Sequence, residues 1–300
     1  MTGSGPTPDE GRGLSWGVDS EHGVLREMLL CRPEHYCWIP TNTVAVETLK
    51  SGASLDAGAV AAQYGEMVAA LEEGGVACRY LAPDPHLPYQ VYTRDSSFTT
   101  PWGAVVAQLF RPQRRGEVAA VAEFHRTQGM APWRWATAAS LEGGDVHLVR
   151  PGLLVLGYSG ERTQEAGARQ CAGWFEAAQW RVRLVPFPEH FLHLDLLFCM
   201  VADRLALACL DVLDDDFVAW LRAEGIELIP TTYREAMRLE GNVLALGGGR
   251  VLSSAHAAGV NRRLRAAGLV VLDPDVSLFA RGGGGIHCMT CPLRRDSVAP

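Results

Sequence analysis

The sequence has no apolar run long enough to cross a bilayer. Its longest stretch without Asp, Glu, Lys or Arg runs from Ser96 to Phe110 and carries Ser, Thr, Pro and Gln. That falls short of the ~20 apolar residues a spanning helix needs. The opening MTGSGPTPDEGRG is polar and has no apolar segment of the kind a secretory leader requires, so a cytoplasmic location is expected. Cysteine is sparse. Eight in 300 residues are too few for a disulfide scaffold, and free thiols are expected. A basic stripe is missing too, and the net charge of −7 argues against a nucleic-acid surface. No Pro/Ser/Gly linker, low-complexity tract or charge block divides the chain. The expectation is a flexible N-terminal tail over residues 1–13 and one domain over residues 14–296.

What is present suits a soluble globular chain: 48% hydrophobic and 20% charged residues. A chain of this length buries roughly 75% of its unfolded surface, so it needs no staples. One phrase recurs along it: a helix-like stretch, a Gly or Gln stop, a short apolar strand, then Pro, Thr or Asp. It reads EEGGVACRYLAP, RTQGMAPWRWAT, AAQWRVRLVPFP, RAEGIELIPTT and RAAGLVVLDPD. A preceding helix is visible in Val60, Tyr64, Met67, Val68 and Leu71, which repeat at amphipathic spacing.

After each phrase comes a polar signature and another apolar strand. The signatures centre on Asp95, Glu142, His193, Asn242 and Cys288, separated by 47, 51, 49 and 46 residues. A nearly constant period with one strand-helix-strand unit each predicts a fivefold pseudosymmetric α/β propeller. The last unit lacks a following helix. The N-terminal strand over residues 25–30 and the helix over residues 57–72 would complete it and close the ring. The five signatures would then meet around one axis, a composition suited to a catalytic site and costly in a core.

Each signature has an ordinary structural explanation when taken alone. Cys288 lies in GGGGIHCMT, where the glycines suggest an open turn presenting a thiol; a small apolar cysteine in a strand is the plainer alternative. Cys291 follows three residues on, but a zinc site wants four ligands and no second paired motif stands out. In HLD, His193 and Asp195 alternate and would share one face of a strand. This pair, with His190 beside it, is too little for the ligand clusters of a manganese ureohydrolase. EGGD over Glu142–Asp145 and TRD over Thr93–Asp95 are also tight-turn sequences. In GERT, Arg162 stands where a helix is expected to open, which favours an anion beside it or else a solvated surface charge.

In combination and order the motifs are specific. Through YTRD (Tyr92–Asp95), EGGD (Glu142–Asp145), GERT (Gly160–Thr163), HLD (His193–Asp195), GNVLALG (Gly241–Gly247) and GGGGIHCMT (Gly282–Thr290), the sequence resembles the guanidino-group-modifying superfamily. That superfamily comprises arginine deiminases, dimethylarginine dimethylaminohydrolases, arginine dihydrolases and amidinotransferases. The resemblance covers about residues 20–295 and implies the same fivefold propeller, called the pentein fold.

It also implies roles. Cys288 would attack the guanidinium carbon, and His193 would protonate the leaving amine and then activate water. Glu142 would orient His193 or bind a guanidinium nitrogen. Asp95 and Asp195 would hold the guanidinium, and Arg162 would hold a substrate carboxylate. Asn242 occupies the fourth equivalent position as a candidate substrate-binding residue without an assigned role. No metal or organic cofactor is required. The expected activity is a cysteine-dependent hydrolysis of arginine or an arginine-like guanidine through a thiouronium. The alternative is an amidinotransferase passing the amidino group to an amine, and a catalytically silent guanidine-binding protein is the third reading. The partner is a small cationic molecule, not a nucleic acid or a membrane; self-association is left open.

Overall fold

A strand bordered by strongly β-forming residues and broken by Gly or Pro folds back at that break. The computed structural model, which describes residues 16–299, shows this repeatedly. Its strands are β1 (Leu25–Cys31), β2 (Ala77–Leu81), β3 (Ser97–Thr100), β4 (Gly103–Val106), β5 (Arg134–Trp135), β6 (Val146–Arg150), β7 (Leu153–Tyr158), β8 (Arg181–Pro186), β9 (Phe198–Ala202), β10 (Leu205–Cys209), β11 (Glu227–Thr231), β12 (Leu244–Gly247), β13 (Arg250–Leu252), β14 (Val270–Leu272) and β15 (Cys291–Arg295). The helices are α1 (Thr43–Lys50), α2 (Ala57–Glu73), α3 (Glu117–Thr127), α4 (Glu165–Ala177), α5 (Asp215–Ala223), α6 (Tyr233–Met237), α7 (Ala258–Ala266) and α8 (Ser277–Ala280). The residues expected to form a tail lie outside the described ones.

Among the described residues the strands form five three-stranded sheets, ordered β3-β4-β5, β6-β7-β8, β9-β10-β11, β12-β13-β14 and β15-β1-β2. Each has the same wiring. The first strand pairs antiparallel with the second, a helix follows, and the third strand returns parallel to the second. The fifth sheet takes its first strand, β15, from the end of the chain and its other two, β1 and β2, from the beginning. The ring closes there, as the repeat predicts.

The first strands β3, β6, β9 and β12 are buried along their length, while β2, β8 and β11 are partly exposed. Neighbouring first strands also touch, β15 on β3 and β9 on β6 and β12. They therefore stand nearest the axis, and the helices cover the outside. In α2 the buried face is Val60, Tyr64, Met67 and Leu71, and Asp56 caps its start by accepting the Ala59 N–H at 2.7 Å. No helix among the described residues is long and apolar enough to cross a membrane.

Two sequence expectations change. The apolar stretch over residues 146–156, which reads in sequence as one strand following EGGD, is two strands, because Pro151-Gly152 makes a hairpin turn with Gly152 at φ +81°. His193 and Asp195 do not lie on a strand. They bracket the start of a single tight turn over Leu194–Leu196, so each points where the turn sends it.

Candidate active site

The polar signatures occupy one topological position. Asp95, Glu142, His193, Asn242 and Cys288 each lie a few residues before the first strand of a sheet, namely β3, β6, β9, β12 and β15. Because those strands surround the axis, the five residues converge. All are buried. Ionised groups so placed need partners, since desolvation costs several kcal/mol for each ion.

The partners are found on the Asp95 side. His193 Nε2 lies 2.9 Å from Glu142 Oε2, and His193 Nδ1 lies 3.6 Å from Asp95 Oδ1. Arg162 Nη1 donates to the same Glu142 oxygen at 3.1 Å, and the Phe110 N–H donates to the other at 2.9 Å. Asp95 Oδ2 pairs with Arg114 Nη1 at 2.5 Å, and Arg114 also forks onto Glu117 at 2.8 Å for each bond. Burial works against a charged His193, but Asp95, Asp145 and Glu142 outweigh it and raise its pKa to about 9. Burial likewise works against a charged Glu142, yet Arg162 and His193 hold it well below the usual range. At neutral pH this side is an imidazolium among carboxylates.

Cys288 is held through both ends of its own backbone. Its N–H donates to Asn242 Oδ1 at 3.2 Å, and its carbonyl accepts from Arg94 N at 3.1 Å. The thiol contacts Asp195 Oδ2 at 3.5 Å. Burial, then Asp195 and Asp95, push its pKa well up and favour the thiol over the thiolate. The glycine run is not the open turn expected. Only Gly283 has a left-handed φ, +98°; a Cβ on Gly284 would stand 2.2 Å from the Tyr92 ring, and one on Gly282 would stand 2.0 Å from the Tyr36 hydroxyl. Glycine is required here for close approach, and the turn is packed shut.

Asp195 completes the group. Its Oδ2 accepts from His287 Nδ1 at 2.8 Å, while Oδ1 is buried without a partner. Asp95 Oδ1 is likewise buried without a hydrogen-bond partner. A cavity of about 10 Å³, room for a single water, lies among Asp95, His193, Cys288, Arg162, Arg114, Tyr92 and Asn42. Beyond Asn42, Arg162 and Leu192 an outer pocket of about 250 Å³ opens, lined also by Arg111, Glu161 and Glu189.

The other expected residues divide. Arg162 does not open a helix. It precedes α4, whose cap is Gln164, and its side chain is buried against Glu142 with Nε unpartnered. Asn242 reaches the centre, but both ends of its amide serve the protein: Oδ1 accepts from Cys288 N, and Nδ2 donates to the Asp195 carbonyl at 3.4 Å. Asp145 accepts the Leu194 N–H at 2.7 Å and so fixes the turn that aims His193. Cys291 heads β15, where its thiol donates to the Ser97 carbonyl at 3.3 Å. Two residues escaped the sequence reading. Arg114 was signalled only by its charge three residues before Glu117, and His287 only by its place beside Cys288.

Asp95, Glu142 and His193 also offer ligand atoms within 4.8 Å of one another, close enough for a metal ion. Arg114 and Arg162 already sit on the two carboxylates, and His193 is held as a cation. That donor set is charge-compensated by the protein's own cations and does not fit a metal.

A family model described as N,N dimethylarginine dimethylhydrolase, eukaryotic, matches residues 40–295. The uncharacterized protein YkgA of Bacillus subtilis (strain 168) is 30% identical over 280 residues, which are 92% of this chain and 94% of YkgA. An arginine deiminase of Rhodococcus jostii (strain RHA1) is 29% identical over 328 residues, covering 96% of this chain and 78% of that protein. Among solved structures, the dimethylarginine dimethylaminohydrolase of Pseudomonas aeruginosa, a cysteine-to-serine variant complexed with citrulline, superposes with a TM-score of 0.75 at 20% identity. The match covers 90% of this chain and 100% of that one, and it shows the shared fold. The relatives include guanidine-modifying hydrolases and deiminases, and the chain belongs to the N,N dimethylarginine dimethylhydrolase family within the guanidino-group-modifying superfamily.

Proposed function

We propose that the protein is a cysteine-dependent hydrolase of the guanidinium group of arginine or an arginine-like substrate, acting through a covalent thiouronium on Cys288. One observation carries the reading. Two buried carboxylates, Asp95 across the inner cavity and Asp195 in contact with the Cys288 thiol, each keep an oxygen without a hydrogen-bond partner, and a histidine held as an acid lines that cavity beside Asp95 and Cys288. A planar cation with N–H donors on several edges satisfies both oxygens at once.

The steps follow from the charges. As the cation binds, it offsets the two carboxylates beside Cys288, and the thiol loses its proton to water. The thiolate attacks the guanidinium carbon, forming the S–C bond. His193 gives its proton to the departing nitrogen, the C–N bond breaks, and a thiouronium remains. Neutral His193 then takes a proton from water as the water oxygen bonds to the same carbon. The S–C bond breaks with its electron pair going to sulfur, the new hydroxyl gives its proton to that sulfur as C=O forms, and the urea product leaves. Arg162, at the wall between the inner and outer pockets, meets the far end of an amino-acid substrate, where a carboxylate pairs with its free Nε. Entry requires Asn42 and Leu192, which wall the inner cavity, to move apart, because that cavity holds only about one water.

The test is a panel of guanidines incubated in oxygen-18 water, with and without acceptor amines, and read by mass spectrometry. Labelled citrulline or another labelled urea without added amine supports the reading. Product that forms only when an amine such as glycine, lysine or ornithine is present replaces it with amidino transfer.

A further inference from the structure

Behind Asp195, away from the groups the mechanism uses, the buried charges continue. His287 Nδ1 lies 2.8 Å from Asp195 Oδ2, and His287 Nε2 lies 3.7 Å from Glu21 Oε2. His147 Nδ1 lies 3.4 Å from the same Glu21 oxygen. The two imidazole rings stack at 5.9 Å with an interplanar angle of 11°. Glu21, His147, Asp195 and His287 are all buried. His287 is also tied through its backbone: its N–H donates to the Asn242 carbonyl, and its carbonyl accepts from Thr290 and from Arg94 Nε. A side chain anchored this firmly holds its ring in one direction.

The tautomer follows from the acceptors. An ionised carboxylate oxygen only accepts. Asp195 Oδ2 faces both the Cys288 thiol and His287 Nδ1, so Nδ1 carries a hydrogen and donates. We propose that His287 is a positioning residue that fixes Asp195 by this bond and aims its free oxygen at the bound cation, with Glu21, braced by His147, fixing the ring of His287. This rests on the reading of Asp195 as a clamp on the guanidinium. The arrangement also has an electrostatic consequence. Burial opposes an ionised Asp195, but the His287 hydrogen bond, then the charges of His287, His193 and His147, bring its pKa below the usual value. Glu21 is likewise held ionised against burial by His147 and His287. Besides these groups, Arg94 and Cys288 adjoin His287, and Arg295 shares a small cavity with Glu21 and Arg94.

The donor position separates positioning from space filling. An Asn amide branches at Cγ and places a donor where Nδ1 stands, whereas a Gln amide reaches toward the Nε2 position. The full-length wild type, His287→Asn and His287→Gln are compared in alkylation of Cys288 by chloroacetamidine, a cation, and by neutral chloroacetamide. Mass spectrometry identifies the modified residue, and the pH is varied. The ratio of the two rates reads the ionised, aimed Asp195. The wild type prefers the amidine, His287→Asn keeps that preference to within about twofold, and His287→Gln loses about tenfold or more, as expected on losing a hydrogen bond to a charged group. In His287→Gln the acid limb of amidine labelling moves to higher pH, because Asp195 no longer keeps its lowered pKa. Equal ratios in all three overturn the positioning role while leaving Cys288 as the nucleophile. A wild type without amidine preference at Cys288 overturns both readings. If His287→Gln does not fold, Glu21→Gln carries the test: a reduced preference supports the proposal, and an unchanged one overturns it.

Discussion

Asp95 and Asp195 do the same chemical job in the proposed site and are held in opposite ways. Each commits one carboxylate oxygen to a protein cation or donor and leaves the other without a hydrogen bond. Asp95 is braced by Arg114, which is itself forked onto Glu117. Guanidinium stays charged at any pH a protein survives, so that brace is unconditional. Asp195 is braced by His287 Nδ1, on a ring whose far nitrogen faces Glu21. The clamp thus has one jaw fixed directly by a buried ion pair and one jaw held through a ring that a second carboxylate steadies. The jaws also differ in what they do to their neighbours. Asp95 is the leading charge that raises His193, while Asp195 is the leading charge that raises Cys288. Loss of one disturbs the acid, and loss of the other disturbs the nucleophile.

The largest effect tests what the two jaws share. Cys288→Ala removes the one thiol among the described residues that line the inner cavity and lowers kcat by several orders of magnitude, as removal of a covalent nucleophile does. Cys291→Ala, in a strand on Ser97, leaves kcat close to wild type. Steady-state kinetics on the best guanidine and thermal melting of both variants make the measurement. Full activity in Cys288→Ala, or its loss in Cys291→Ala, removes the common target of the clamp.

The next effect separates the jaws. Leaving one face of a buried cation unpaired costs about 2–5 kcal/mol, so Asp95→Asn and Asp195→Asn each lower kcat/KM by roughly 30-fold to several thousand-fold. Only Asp95→Asn should also shift the basic limb of kcat, because it takes from His193 its leading raising charge. If the two variants give identical pH profiles, the distinction between the jaws is wrong.

The frame of this arrangement was legible because the ring repeats. A period near 48 residues located five equivalent turns, and each turn carried one of the five central residues. What was not legible lay between the repeats. Arg114 belongs to a connecting segment whose reach to Asp95 is set by tertiary packing. Glu21 and His147 come from different units and meet at the axis, where spacing along the chain says nothing. Arg162 was read as a helix start because Gly-Glu-Arg-Thr resembles one. The helix begins later, at Glu165, since Gln164 takes the cap and the arginine turns inward to the Glu142 charge.

A smaller effect concerns the acid. With a pKa of about 9, His193 stays protonated through neutral pH and donates to the leaving amine. The basic limb of kcat should therefore fall near that value. Glu142→Gln removes a raising partner and moves the limb to lower pH. The stability sign follows the same way. A folded value above the ~6.5 of free imidazole means the contribution is complete below about pH 6.5 and is lost as the pH rises through about 9. Melting curves of wild type and His193→Gln should therefore converge at alkaline pH; a gap that widens there contradicts the assignment.

The smallest expected effect is none at all, and it bears on the fixed jaw alone. Asp95, Glu142 and His193 are the one group among the described residues whose ligand atoms lie close enough for a metal ion. A metal there would require His193 neutral and would compete with Arg114 for Asp95 and with Arg162 for Glu142. Displacing a buried arginine from its carboxylate leaves an unpaired charge and costs several kcal/mol. The same three groups serve better as an acid and its supports, since the carboxylates raise His193 and Arg162 keeps Glu142 ionised. Exhaustive chelation should leave kcat and KM unchanged, and added zinc or manganese should not raise them. Activity lost on chelation and restored by a divalent ion would put a metal in place of the imidazolium. The fixed jaw would then be a ligand set, and its arginines would need another explanation.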